Sequence, residues 1–132
     1  MKLYKDGDLG YLNMADRLAY VRSLASKYNL IESILNSYGV KEYVYYINKP
    51  VCNSPILHWC EENDHVIMAT ELKINRVDTV VAKDRLKLCA YRFKPEYSIR
   101  NIERRLVNYI KQSKEFVVKM KKQDVENDFK NT

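Results

Sequence analysis

Whether residues 56–74, "ILHWCEENDHVIMATELKI", form a hairpin or a helix governs most of what can be read from this 132-residue chain. Two apolar, β-rich runs flank the polar stretch "EEND" at 61–64, which is the pattern of two strands and a connecting loop. A four-residue loop sets Cys60 opposite His65, Trp59 opposite Val66 and His58 opposite Ile67. Leu57 and Trp59 then share a core face with Val66 and Met68, while Leu72 and Ile74 continue that face. His58, Cys60 and His65 emerge together on the other face, with Cys52 nearby. A competing helix, capped by Ser54 with Pro55 at its first position, would send His58 and Cys60 about 160° apart and dissolve the group.

The hairpin therefore creates the only ligand-like constellation in the sequence. Cys52, His58, Cys60 and His65 are the candidates for a metal such as zinc. Their spacing, C-x5-H-x-C-x4-H, lacks the close C-x2-4-C or H-x3-5-H pairs that zinc ligands usually form. Packed or half-exposed side chains are the ordinary reading of these residues, and no cofactor is expected. A nucleophilic pair of Cys60 with His65 or His58 would need a lowered thiol pKa and an oxyanion hole, neither of which the sequence indicates. Asp6 and Asp8 in "KDGDLG" lack the other oxygen ligands of a calcium loop and read as a turn on Asp6-Gly7. No phosphate-cradling glycine loop occurs, so the expectation is a protein that is not an enzyme.

Outward from the hairpin, "KEYVYYINK" (41–49) is rich in aromatic and β-branched residues and reads as a strand ending before Pro50. "DTVVAK" (78–83) and "RLKLCAYRF" (85–93) read as two more strands across a turn at 83–85, with Leu86, Leu88 and Ala90 on one face. A helix over 79–91 is the alternative, since Ala, Lys, Arg and Leu favour helices. At the N-terminal end, Asn13 is a helix cap, and Met14, Leu18, Val21, Leu24, Ala25 and Tyr28 keep three-and-four spacing. Asn29 with Glu32 reads as a second cap and Gly39 as a C′ residue, predicting a helix over 14–37, bent or restarted near Asn29. After Pro95, Ile99, Ile102, Leu106, Tyr109, Ile110, Phe116, Val117 and Met120 form one amphipathic stripe running to Lys122 or beyond. The predicted class is α+β: an antiparallel sheet of three to five strands with an N-terminal helical segment and a long C-terminal helix. Residues 1–122 form a single domain in this reading, and 123–132 a polar, frayed tail.

The charge is lopsided. Residues 1–40 carry a net +1, residues 41–75 a net −2, and residues 76–132 a net +7, from fifteen Lys/Arg against eight Asp/Glu. At 100° per residue, Arg100, Arg104, Lys111 and Lys122 lie within about 40° of one another, with Lys114 and Lys121 in a second row nearer the apolar edge. These six are the candidate phosphate-binding residues, and the expected partner is nucleic acid or an acidic protein. A helix of this length outruns a small sheet, so Tyr109, Phe116, Val117 and Met120 are the candidate partner-binding residues, with homodimerisation the expected result. Tyr43, Tyr45 and Tyr46, with Tyr91 and Phe93, are a candidate stacking platform for single-stranded bases.

No apolar run approaches the ~20 residues of a membrane span, and the first residues show no secretory pattern. Three cysteines fit reduced thiols, so a cytoplasmic setting is expected. The abundance of tyrosine, asparagine, lysine and isoleucine suits an AT-rich gene, such as one from a phage or plasmid. Three functions are ranked on these grounds: a nucleic-acid-binding accessory or regulatory protein, a protein-binding modulator, and last a metal- or thiol-dependent enzyme.

Overall fold

Asn13 opens the first helix, α1 (Met14–Lys27), by accepting the Asp16 N–H at 2.9 Å, while its amide donates to the Asp16 carboxylate at 3.0 Å. The cap satisfies one of the helix's unpaired N-terminal donors. This is described in a computed structural model covering residues 4–47, 54–77 and 85–130, with 76, 77, 85 and 123–130 described by backbone alone.

The helix stops ten residues before the sequence predicts. Asn29 adopts a left-handed φ of 54°, the Leu30 N–H reaches the Ala25 carbonyl at 2.8 Å, and the Asn29 N–H points to Ser26. That is a Schellman closure, in which asparagine ends a helix rather than starting one. The segment expected to be a second helix is instead a strand, β1 (Ile31–Ser37). Tyr38 and Gly39, with φ of 51° and 78°, then form a two-residue turn into β2 (Val40–Tyr46). Positive φ at both central residues is what a hairpin twisting with its strands requires. Gly39 thus closes a hairpin, not a helix.

β3 (Leu57–Cys60) and β4 (Val66–Met68) form the predicted hairpin, with His58 opposite Ile67 and Leu57 opposite Met68. The Trp59 indole N–H donates to the Asn63 carbonyl at 2.9 Å, fastening the loop back onto the sheet. Chain reversal places β7 (Lys94–Glu96) beside β4, so the five-stranded antiparallel sheet has the order β1-β2-β3-β4-β7. Between β4 and β7 lie β5 (Glu71–Val77) and β6 (Arg85–Tyr91), a separate two-stranded sheet. The helical alternative does not hold over 85–91; β2 ends at Tyr46, and "DTVVAK", residue 84 and residues 48–50 lie outside the described residues.

One register runs through both parts of this excursion. Val66 faces Glu96 and Met68 faces Lys94, and past the break Glu71 faces Tyr91 and Leu72 faces Ala90. β4–β5 and β6–β7 are therefore one long ribbon bent at Ala69-Thr70. At the bend the Ala69 N–H stays with the first sheet, donating to Ile56, whereas Thr70 donates to the Tyr91 and Arg92 carbonyls. Because the register is unbroken, Val66, Met68, Leu72, Leu88 and Ala90 remain on one side of the ribbon.

That side faces the second helix, α2 (Ile99–Lys130), whose 32 residues extend about 48 Å. The seven-residue strands β1 and β2 extend only about 23 Å. The N-terminal half of α2 packs with α1 over the five-stranded sheet: Val21, Leu24, Ile102, Leu106 and Tyr109 form one core with Tyr45, Leu57, Trp59, Val66 and Met68. Each such large, fully buried side chain contributes roughly 1.5–3 kcal/mol. The C-terminal half lies against the two-stranded sheet, where Phe116 and Leu88 are buried among Leu72, Leu86, Val117 and Met120. Helical backbone continues to Lys130, past the boundary at residue 122 expected from composition.

Candidate nucleic-acid interface

The opposite side of α2 carries the positive charge. Arg100, Arg104, Lys111, Lys114, Lys121 and Lys122 are all exposed, as the helical spacing predicts. None of the six takes part in an ion pair or hydrogen bond among the described residues. From Arg100 to Lys122 the row extends about 33 Å at 1.5 Å per residue. Arg105 is set apart from it, turned toward the Glu96 carboxylate at 3.5 Å. Glu103 and Glu115 are the carboxylates on the helix beside the row, and Glu103 is one reason, after burial, that the Tyr20 phenol has its pKa raised.

Two apolar features interrupt this face. Val107 and Val118, outside the apolar stripe, are about half exposed among the cations. Beside them runs an apolar groove of about 410 Å³, lined by Tyr28, Val107, Ile110, Lys111, Lys114 and Glu115. Tyr28, the residue that caps the C-terminus of α1, forms one wall of this groove, and α2 supplies the rest.

The residues expected to bind a partner lie elsewhere. Tyr109 is 2% exposed and its hydroxyl donates to the Ala69 carbonyl at the ribbon bend. Phe116 is 6% exposed against Leu88, and Val117 and Met120 are half buried beside it. The expectation of a bare overhanging stripe is thus corrected: the bent ribbon covers it. An extended strand has no means of announcing this in sequence, because the bend changes neither register nor alternation.

The stacking platform also disperses. Tyr43 and Tyr45 are buried beneath the helices, Tyr46 points to the other face of β2, and Tyr91 sits on the second sheet. Phe93 alone of the five is exposed. Tyr43 instead stacks at 5.6 Å with Trp59 and carries the Arg22 guanidinium above it.

His58, Cys60 and His65 do share a face, yet each histidine has its own carboxylate. His58 Nδ1 is 2.9 Å from Glu42 Oε1, with the ring edge-on to Phe93; His65 Nδ1 is 2.8 Å from Asp64 Oδ1, beside Tyr97. No group of three or more metal-ligating side chains assembles among the described residues, and Cys52 lies outside them. Burial, and then the Glu42 carboxylate, push the Cys60 thiol pKa up. A nucleophilic cysteine needs the reverse. Asp6 and Gly7 form the expected turn, with Asp8 accepting the Lys5 N–H at 3.2 Å.

Comparison with family models, with curated proteins and with solved structures finds no match to this chain.

Proposed function

We propose that this protein is a small nucleic-acid-binding accessory or regulatory protein that grips phosphates with the outer face of α2. The observation that carries the reading is the face of six exposed cations, none of them paired among the described residues. Cations left free of carboxylates keep their full charge for an external anion, and binding releases the counterions condensed on the nucleic acid. No helix among the described residues is long and apolar enough to cross a membrane. A reducing cytoplasm suits the free Cys60 and Cys89. The enzyme readings rank below this one, because Cys60 is held as a thiol and each histidine is tied to one carboxylate.

Salt titration of binding to a 20-base-pair duplex and to a single strand of equal length tests the proposal. Six phosphate contacts predict a slope of log K against log salt of about −5 on duplex, or about −4 on a single strand. Between 100 and 200 mM salt the duplex affinity then falls roughly 40-fold. Reversing Lys111 and Lys114 to glutamate should abolish measurable binding without altering the fold. Binding that ignores salt, or survives the reversal, overturns the proposal. An acidic protein surface is the second reading, favoured by the half-exposed Val107 and Val118 among the cations. It would show as a stoichiometric protein complex that persists after nuclease treatment.

A further inference from the structure

The first strand is an unguarded sheet edge. β1 ends the five-stranded sheet, and among the described residues nothing pairs with its outer side. Six of its seven residues are exposed, Ile31, Ile34 and Leu35 each by about half. Proteins usually guard such edges with lysine, proline, a bulge or a very short strand. β1 has none of these, and its single charge is Glu32.

The backbone shows which groups are free. In β2, the carbonyls of Tyr45 and Lys41 are taken by Ile56 and Glu61 on the β3 side. Glu32 faces Tyr45, Ile34 faces Tyr43 and Asn36 faces Lys41 in the β1–β2 register. In an antiparallel ladder the hydrogen-bonding direction alternates with each residue. The N–H and C=O groups of Glu32, Ile34 and Asn36 therefore point out of the sheet edge.

We propose that β1 pairs with β1 of a second copy, antiparallel about a twofold axis at Ile34, to give a continuous ten-stranded sheet. In that register Ile34 faces its own counterpart and Glu32 faces Asn36 of the other copy, so all three pairs of outward-pointing residues exchange backbone hydrogen bonds. Leu35 falls opposite Ser33, a large side chain against a small one. No like charges oppose, and Glu32 is already held within its own chain by Arg22 at 3.1 Å and the Tyr45 hydroxyl at 2.9 Å. A second copy is favoured over self-pairing through α2, whose outer face would set like charges against like. It is favoured over an acidic partner too, since the exposed β1 side chains include no cation. The twofold keeps both α2 helices on one side of the joined sheet, where two cationic rows can meet one partner.

Sedimentation velocity of the nucleic-acid-free protein at 1–100 µM, in 0.15 and 0.5 M salt, tests this. The expected species is a dimer with a mass about twice 15.7 kDa. Ile34→Lys sets two ammonium groups face to face and should give a monomer. Ile34→Pro should do the same while leaving the β1–β2 ladder intact, because that residue's N–H points outward. Circular dichroism verifies the fold of both. The register has its own test at residue 36, which does not depend on either variant folding. Asn36→Lys creates two Glu32–lysine pairs and should tighten the dimer about three- to tenfold, whereas Asn36→Glu should weaken it by a similar factor. A wild-type monomer at 100 µM overturns the proposal. So does a dimer that persists in folded Ile34→Lys, or one indifferent to the sign of the charge at residue 36.

Discussion

Replacing Tyr109 by phenylalanine removes one oxygen from the junction of the two sheets and leaves the ring in place. The hydroxyl is buried and donates to the carbonyl of Ala69, which is itself fully buried where the ribbon turns from one sheet to the other. Without it a buried acceptor loses this donor in a site water does not readily reach, and the cost of such a loss is about 1–3 kcal/mol. The retained ring keeps its apolar contacts, so the lower half of that range is expected, about 1.5 kcal/mol. For a chain of 132 residues, 1 kcal/mol moves Tm by roughly 3–5 °C, so Tyr109→Phe should melt about 6 °C below the wild type. Urea unfolding followed by tryptophan fluorescence reads the same change directly, since Trp59 lies in the connected core. Tyr11→Phe, at an exposed phenol, serves as the control and should melt with the wild type. The variant should also expose the Thr70 amide to faster hydrogen exchange, because the bend loses a support. A Tyr109→Phe protein with wild-type stability and unchanged exchange would refute the claim that α2 fixes the bend.

Three further outcomes follow from local chemistry. Burial raises the phenol pKa values of Tyr20, Tyr45 and Tyr109 above their usual 10, so the unfolded chain releases those protons first; stability should hold below about pH 10 and fall as pH rises beyond it, as urea midpoints across pH 8–11.5 will show. Asn29→Ala forces a Cβ residue without a local polar group into the left-handed region and should cost about 1 kcal/mol, whereas Asn29→Gly should be neutral or slightly stabilising; equal stability of both with the wild type would contradict the Schellman closure. With Cys52 and Cys89 replaced by serine, Cys60 should react with a disulfide reagent at pH 8 more slowly than a free thiol, and rapid modification at pH 7 would contradict the raised pKa.

Much of the fold was readable where periodicity and local chemistry agree. The 56–74 hairpin has the register its loop length requires, because shifting it by one residue would expose Trp59 and Leu57 and bury His58 and Cys60. α2 was equally plain, since its stripe keeps helical spacing from Ile99 to Met120 and leaves the six cations on the far side. Residues 29–37 are ambiguous locally because "NLIESILNS" offers both a cap pattern and β-branched residues. Nothing local says whether Asn29 begins a helix or ends one. The pairing of β1 with β2 made that choice, and with it came the exposed edge that no sequence pattern had marked.

The sequence by itself determined the side-chain parity of β3 to β6 and the placement of charge on α2, because both depend only on the repeat distances of strand and helix. Tertiary structure alone decided what covers the apolar stripe of α2. The ribbon bends at Ala69-Thr70 without losing register, so alternation continues through the bend and carries no trace of it. Only the meeting of Tyr109 with Ala69, and of Phe116 with Leu88, turns the far half of that ribbon under the helix. Contacts between residues some thirty to forty positions apart are fixed by the packing of surfaces, which periodicity along the chain does not record.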